Sequence, residues 1–219
     1  MIEAVIFDLD GLLVDSEPHW NEARRQMAME HGKEWTPDDQ KACMGVSTRA
    51  WADYMIRRLE LDLSPDQVIS RIVGTLRALY ARQVPYLPGA IEAVDLAARY
   101  YPTALASGSY RSLIDAITND TPMRGKFKVV VCSDEVPAGK PAPDVYLKAA
   151  HQLGVQTENC VCLEDSANGI RAGKAAGMKV IAVPDHQSPP PPEILRQADV
   201  VLSTLRDFGL QVIHSLEAI

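Results

Sequence analysis

Asp8 and Asp10 are the first residues whose type and spacing suggest chemistry. They end the apolar run Val5-Ile6-Phe7, stand two positions apart and are followed by Gly11. Side chains at i and i+2 of a strand point the same way, so at a strand end the two carboxylates can converge on one place. Two like charges there repel unless a cation or a shared proton compensates. The stretch is therefore a metal site, a proton-transfer site, or both.

Three more polar groups stand where strand-like runs end. Ser107-Gly108-Ser109 closes one, Gly139-Lys140-Pro141-Ala142-Pro143-Asp144 follows another, and Glu164-Asp165-Ser166 closes a third. Singly, each has an ordinary structural use as a helix cap, a turn or a solvated loop lysine. Together they supply the parts for phosphoryl transfer at a hard divalent cation. Mg²⁺ prefers oxygen ligands and binds through one or two carboxylates plus substrate phosphate. Asp8 and Asp165 can supply the carboxylates. Lys140 offers a positive charge to the transferring group, and Ser107 a hydrogen bond to one of its oxygens. Asp8, held deprotonated, can act as nucleophile, and Asp10 can carry a proton to the leaving oxygen and take one from water. A calcium loop is excluded, because Leu12-Leu13-Val14 occupy positions that would need oxygen ligands.

The elements that must hold these groups can be read from periodicity. After the opening strand, Trp20, Ala23, Met27 and His31 fall at helical intervals, with Gly32 as a stop. Thr36-Pro37 and Ser64-Pro65 each begin a helix, the second with a capping box completed by Gln67. Residues 47–61 have helical spacing, and Ile69, Ile72, Leu76, Leu79 and Tyr80 line one face of a long helix. Residues 16–84 thus read as an inserted α-helical unit. From residue 85 strands alternate with single helices, so 1–15 and 85–219 read as a Rossmann-like core. The expected fold is α/β, a doubly wound, mostly parallel sheet with an inserted helical domain. Such a fold gathers ligands at the carboxyl ends of its strands. Ser188-Pro189-Pro190-Pro191-Pro192 reads as a stiff surface loop.

At 219 residues, 47% hydrophobic and 23% charged, the chain has globular proportions. Its net charge of −7 argues against nucleic acid as a partner but leaves room for a small anionic substrate. No leader pattern and no apolar run near the roughly 20 residues of a membrane span are present, so a cytoplasmic protein without membrane attachment is expected. Cys43, Cys132, Cys160 and Cys162 read as reduced thiols, and neither zinc-ligand spacing nor His-Glu-x-x-His occurs.

In this order, the four polar groups resemble the motifs of the haloacid dehalogenase (HAD) superfamily. Asp8-Leu9-Asp10-Gly11 is similar to its Asp-x-Asp-Gly motif, Ser107 to its strand-terminal hydroxyl, Gly139 to Asp144 to its lysine motif, and Glu164 to Gly169 to its acidic motif. The helical insertion resembles that superfamily's small cap. Within it, the second acid resembles the β-phosphoglucomutase-like phosphatases. That resemblance implies an aspartyl-phosphate at Asp8, acid/base work by Asp10, and Mg²⁺ on Asp8, the backbone oxygen of Asp10, and Asp165. Glu164 would sit on the metal side or just behind it, and backbone N–H groups near Leu9 and Gly108 would join Ser107 and Lys140 around the phosphate.

Three readings follow. The first is a phosphatase of small phosphomonoesters, sugar phosphates foremost, working as a monomer. The second is a phosphosugar mutase. Mutases of this kind carry a lysine before the Gly-Val-Ser segment, where this chain has Met44, and that favours hydrolysis. The third is a non-enzymatic phospho-acceptor or binding protein, against which the complete acid–hydroxyl–lysine set argues. Glu17, Trp20, Gly45 and Arg49 are the candidates for substrate selection.

Overall fold

The computed structural model describes residues 1–44, 46, 48–119, 121–185 and 189–217. In chain order the elements are β1 (Ala4–Phe7), α1 (Glu17–Glu30), α2 (Pro37–Ala42), α3 (Thr48–Leu59), α4 (Pro65–Tyr80), α5 (Ala90–Tyr100), β2 (Thr103–Ala106), α6 (Arg111–Thr118), β3 (Val129–Val131), α7 (Asp144–Leu153), β4 (Cys160–Glu164), α8 (Ala167–Ala175), β5 (Lys179–Ala182), α9 (Pro192–Leu195), β6 (Val200–Val201) and α10 (Leu210–Leu216). They divide into two compact units, Met1–Asp15 with Pro85–Ile219, and Ser16–Val84.

The first unit is an α/β sheet of six strands in the order β3-β2-β1-β4-β5-β6, every pairing parallel. β1, β2 and β4 are buried along their whole length, which is why they read as continuous apolar runs rather than alternating ones. Ile6, Ala104, Cys162 and Val180 pack with Tyr146 and Ala149 of α7 and Ile170 of α8. Phe7, on the opposite face by alternation, meets the rings of Phe127 and Phe208, each 6.2 Å away. The chain lays β2 and β3 on one side of β1, then returns to place β4, β5 and β6 on the other. The reversal falls between β1 and β4, the position where such sheets open a crevice. Phe7 is level with Leu105 and Leu163, so one residue later Asp8 comes level with Ala106 and Glu164.

Beyond β1 the chain turns through Gly11, at φ 82°, a left-handed conformation natural to glycine. The Gly11 N–H donates to the Val14 carbonyl at 2.9 Å. At the foot of the insertion, the Asp15 N–H donates to the Pro85 carbonyl and the Leu87 N–H to the Leu13 carbonyl, both at 2.9 Å.

The second unit is made of α1 to α4. Thr36 and Ser64 both close full capping boxes, with Asp39 and Gln67. Sequence reasoning found only the second box. Asp39 also accepts hydrogen bonds from Tyr54 Oη and Arg58 Nε, each at 2.7 Å. The buried stripe of α4 is Val68, Ile72, Leu76 and Tyr80, a strict four-residue spacing. Ile69 and Leu79 are only half-buried, so the inward face is turned by about one residue from the expected one. Helix α6 is an element that the sequence reading did not isolate. Pro192 opens α9, and Ser188 lies outside the described residues. Among the described residues no helix is long and apolar enough to cross a membrane. The four cysteines are free and buried.

Candidate active site

Asp8 is the first residue past β1 and is 6% exposed. Its Oδ1 accepts a 2.6 Å hydrogen bond from Lys140 Nζ. The same ammonium reaches Glu164 Oε1 at 2.5 Å and the Ala106 carbonyl at 3.1 Å. Lys140 therefore ties together the ends of β1, β2 and β4 from the loop before α7. Its charge also lies 5.0 Å from the centre of the Tyr146 ring, and Tyr146 Oη donates to Glu164 Oε1 at 2.5 Å.

Glu164 is fully buried, and two glycines show how tightly the acids are housed. A β-carbon at Gly169, in the first turn of α8, would lie 1.8 Å from Glu164 Cδ, and one at Gly11 would lie 2.2 Å from Asp165 Oδ2. Ser166 caps α8 by accepting from the Gly169 N–H at 3.1 Å. Its hydroxyl also meets Glu164 Oε2 at 3.3 Å. The Glu-Asp-Ser-x-x-Gly spacing thus joins a helix cap to the housing of a carboxylate.

The electrostatics are those of a negative site with one resident cation. Burial raises Asp8, Lys140 pulls it down, and Glu164 and Asp10 raise it again, leaving it at about 7. Asp165 is raised well above the ordinary carboxylate range by burial, then by Glu164 and Asp8. Burial acts to lower Lys140, but Asp8 and Glu164 outweigh it and hold the ammonium above its ordinary value.

Asp8, Glu164 and Asp165 each offer an oxygen, and these lie within 4.8 Å of one another. Asp165 Oδ1 is buried with no hydrogen-bond partner among the described residues. An all-oxygen donor set, an excess of buried negative charge and an unsatisfied carboxylate oxygen fit a hard divalent cation.

Asp10 stands apart from that trio. Its Oδ2 accepts from Ser109 Oγ at 2.7 Å and from Ser107 Oγ at 3.3 Å, while Ser107 Oγ accepts from the Ser109 N–H at 2.9 Å. The structure thus directs the Ser107 hydroxyl, expected to meet phosphate, toward Asp10. Gly108 is exposed, with open space where a β-carbon would be.

In the helical unit, Glu17 is exposed and accepts from Gln40 Nε2 at 2.9 Å. Trp20 is half-buried, its ring 5.9 Å from that of Trp51. Arg49 is exposed on α3, with Nε 3.4 Å from Asp53 Oδ1 and Nη1 3.9 Å from Asp66 Oδ1. Gly45 lies outside the described residues. Tyr146 and Ser109 escaped sequence reasoning, although Ser109 sits within the Ser-Gly-Ser turn already singled out. Tyr146 had no signal beyond its place in a helix following the lysine loop.

Comparison with known proteins places the chain in a family. The family described as haloacid dehalogenase-like hydrolase matches residues 5–183. Hexitol phosphatase B of Escherichia coli is 34% identical over 94% of this chain and 94% of its own length. The bifunctional riboflavin kinase/FMN phosphatase of Arabidopsis thaliana is also 34% identical over 94% of this chain. The match spans about half of that larger protein, 54% of its length. The crystal structure of CbbY from Rhodobacter sphaeroides in complex with phosphate superposes with a TM-score of 0.81 at 26% identity, covering 95% of this chain and 97% of that one.

Proposed function

The chain belongs to the haloacid dehalogenase-like hydrolases, and from that membership we propose that it is a Mg²⁺-dependent phosphatase of small phosphomonoesters, sugar phosphates foremost. The observation that carries the reading is the Lys140 ammonium held between Asp8 and Glu164 at 2.6 and 2.5 Å, with Asp165 beside them at the reversal of the sheet. A lone strand-end acid or a loop lysine would not need that enclosure.

In this reading one Asp8 oxygen attacks phosphorus as the bond to the ester oxygen breaks. Asp10 gives the departing oxygen its proton. Asp10 then takes a proton from water, whose oxygen attacks phosphorus and releases the Asp8 carboxylate and inorganic phosphate. Lys140 keeps Asp8 oriented and offsets charge on the phosphoryl oxygens. The Ser107 and Ser109 hydroxyls hold the Asp10 carboxylate on the β2 side, away from the three clustered acids. Asp8, Asp165 and the backbone of Asp10 would hold Mg²⁺, with Glu164 behind them. Bound there, the ion would neutralise the carboxylates and draw charge from the phosphoryl group.

Residues 16–84 are proposed as the cap, with Glu17, Trp20, Gly45 and Arg49 as candidate substrate contacts. Hydrolysis ranks above mutase chemistry because Met44 puts a thioether where a second phosphate would want a cation. A panel of phosphomonoesters assayed for phosphate release with and without Mg²⁺ tests the proposal. Turnover should require Mg²⁺ and fall by a factor on the order of 10⁴ in Asp8→Asn. Normal turnover by that variant would refute the mechanism. Faster interconversion of a sugar 1-phosphate and 6-phosphate than phosphate release would reverse the ranking.

A further inference from the structure

Arg24 sits on the inward side of α1, beside Ala23, Met27 and Ala28. It is 4% exposed. Its guanidinium carbon lies 5.0 Å from the ring centre of Trp20 and 5.7 Å from that of Trp51. Nε and Nη1 are buried and have no hydrogen-bond partner among the described residues. A guanidinium does not shed its proton to escape burial, and buried charges are ordinarily paired or hydrogen-bonded. The two indole faces offset part of the charge, but they accept no hydrogen bond in its plane. Asp39, on the neighbouring α2, shows the usual arrangement: it is equally buried, and it accepts from the Thr36 N–H, Tyr54 Oη and Arg58 Nε.

We propose that Arg24 is the receptor of a small oxyanion, a carboxylate or phosphate group, within the helical unit, with Trp20 and Trp51 as the walls that fix the guanidinium plane. Trp20, half-buried where Trp51 is 4% exposed, is the wall nearer to solvent and the one a ligand would displace. This deepens the phosphatase reading. It divides phosphomonoesters into those that carry a second anionic group and those, such as polyol phosphates, that do not. The oxyanion has two possible sources, the substrate itself or a separate effector.

Trp20 and Trp51 are two of the three tryptophans of the chain, so its emission reports on the walls. Malonate, sulfate and inorganic phosphate are titrated without divalent cation into the unmodified protein and into Arg24→Met, Arg24→Gln and Arg24→Lys. A saturable emission change is expected in the unmodified protein, weakened by about tenfold or more in Arg24→Met and Arg24→Gln and partly restored in Arg24→Lys. Arg24→Met is also expected to melt no lower than the unmodified protein when no anion is present, since a buried guanidinium whose Nε and Nη1 make no hydrogen bond has been removed. A lower melting temperature that no anion alters would assign Arg24 a purely structural role and overturn the proposal. Equal titrations in the unmodified protein and Arg24→Met, or silence of the unmodified protein toward all three anions, would also overturn it.

Kinetics then separate the sources. If the anion belongs to the substrate, Arg24→Met lowers kcat/KM for a carboxylate-bearing phosphomonoester more than for a polyol phosphate, chiefly through KM. If it is an effector, free malonate changes the rate on the polyol phosphate. Absence of both effects overturns the proposal. Phosphate release that depends on Asp8 is scored separately, so the phosphatase reading stands or falls on its own.

Discussion

Gly169 is bare where Glu164 needs room: a β-carbon there would lie within 1.8 Å of the carboxylate carbon. The glycine is called for by a side chain and not by the backbone, since its φ is not positive. Gly169→Ala must therefore push Glu164 off Lys140 and Tyr146 or lift the start of α8. It is expected to cost about 1–3 kcal/mol of stability and to lower kcat/KM by about tenfold or more. Thermal melting and steady-state kinetics check both, and a fully active, equally stable variant would contradict the packing.

Tyr146→Phe keeps the ring beneath Lys140 and removes only the hydroxyl on Glu164. With Glu164 fully buried, the lost donor should cost about 1–3 kcal/mol. Turnover is expected to fall a fewfold through kcat with KM little changed, because Tyr146 acts through Glu164 and Lys140. A change confined to KM would place the hydroxyl on the substrate instead.

Asp165 is held in a setting that penalises its charge. Asp165→Asn should raise the melting temperature of the metal-free protein at neutral pH, by about 1 kcal/mol or more of stability. The same change should abolish activity and erase the stabilisation that Mg²⁺ is expected to give the unmodified protein. That stabilisation is about 2.7 kcal/mol at a hundred times Kd. A variant whose melting still rises with Mg²⁺ would show that Asp165 is not a ligand.

Ser109→Ala removes the shorter of the two hydroxyl contacts to Asp10. Turnover should fall about three- to tenfold, and Ser107→Ala, which removes the 3.3 Å contact, should cost less unless Ser107 also meets phosphate. A larger loss in Ser107→Ala, expressed in KM, would favour phosphate contact by Ser107.

The helical unit has its own pH signature. Burial works to raise Asp39, but hydrogen bonds from the Thr36 backbone, Tyr54, the Thr36 hydroxyl and Arg58 outweigh it and hold the acid at about 2, against an ordinary 3.8. A depressed acid lends stability that is complete above its unfolded value and is lost as pH falls from about 4 toward 2. The contribution is about 2 kcal/mol. Trp35, whose ring meets Tyr54 at 6.2 Å, reports on this region. Tryptophan emission, to which Trp20, Trp35 and Trp51 of this unit all contribute, should show Asp39→Asn less stable than the unmodified protein at pH 6 and nearly level with it at pH 2. An equal gap at both values would refute the assignment.

The acids and the lysine were legible because their positions follow from the covalent sequence. Asp8, Ser107, Glu164 and Asp165 each follow or end an apolar run, and parallel pairing brings such ends to one edge. The sheet was legible for the same reason: β1, β2 and β4 are buried on both faces and carry unbroken apolar runs. What stayed hidden depends on which side chain meets which after packing. The Gln67 box announces itself, whereas Asp39 in the equivalent place looked like one more surface acid until Tyr54 and Arg58 closed on it. Arg24 falls at the i+4 position from Trp20, on the stripe of Ala23 and Met27. An arginine within an apolar stripe was the available signal, and reading it required knowing that Trp51 closes the other side.

The hydrogen bonds joining Asp15 to Pro85 and Leu13 to Leu87 mean that the chain leaves the sheet unit and re-enters it at neighbouring points. To the six strands, the 69 residues of Ser16–Val84 are equivalent to the loop of a hairpin. Their length and composition impose no strain on strand register. The helical unit is thus a cassette: a lineage could lengthen it, shorten it or exchange it while Asp8 and its partners kept their places. The helical unit and the acid cluster can then evolve on separate clocks.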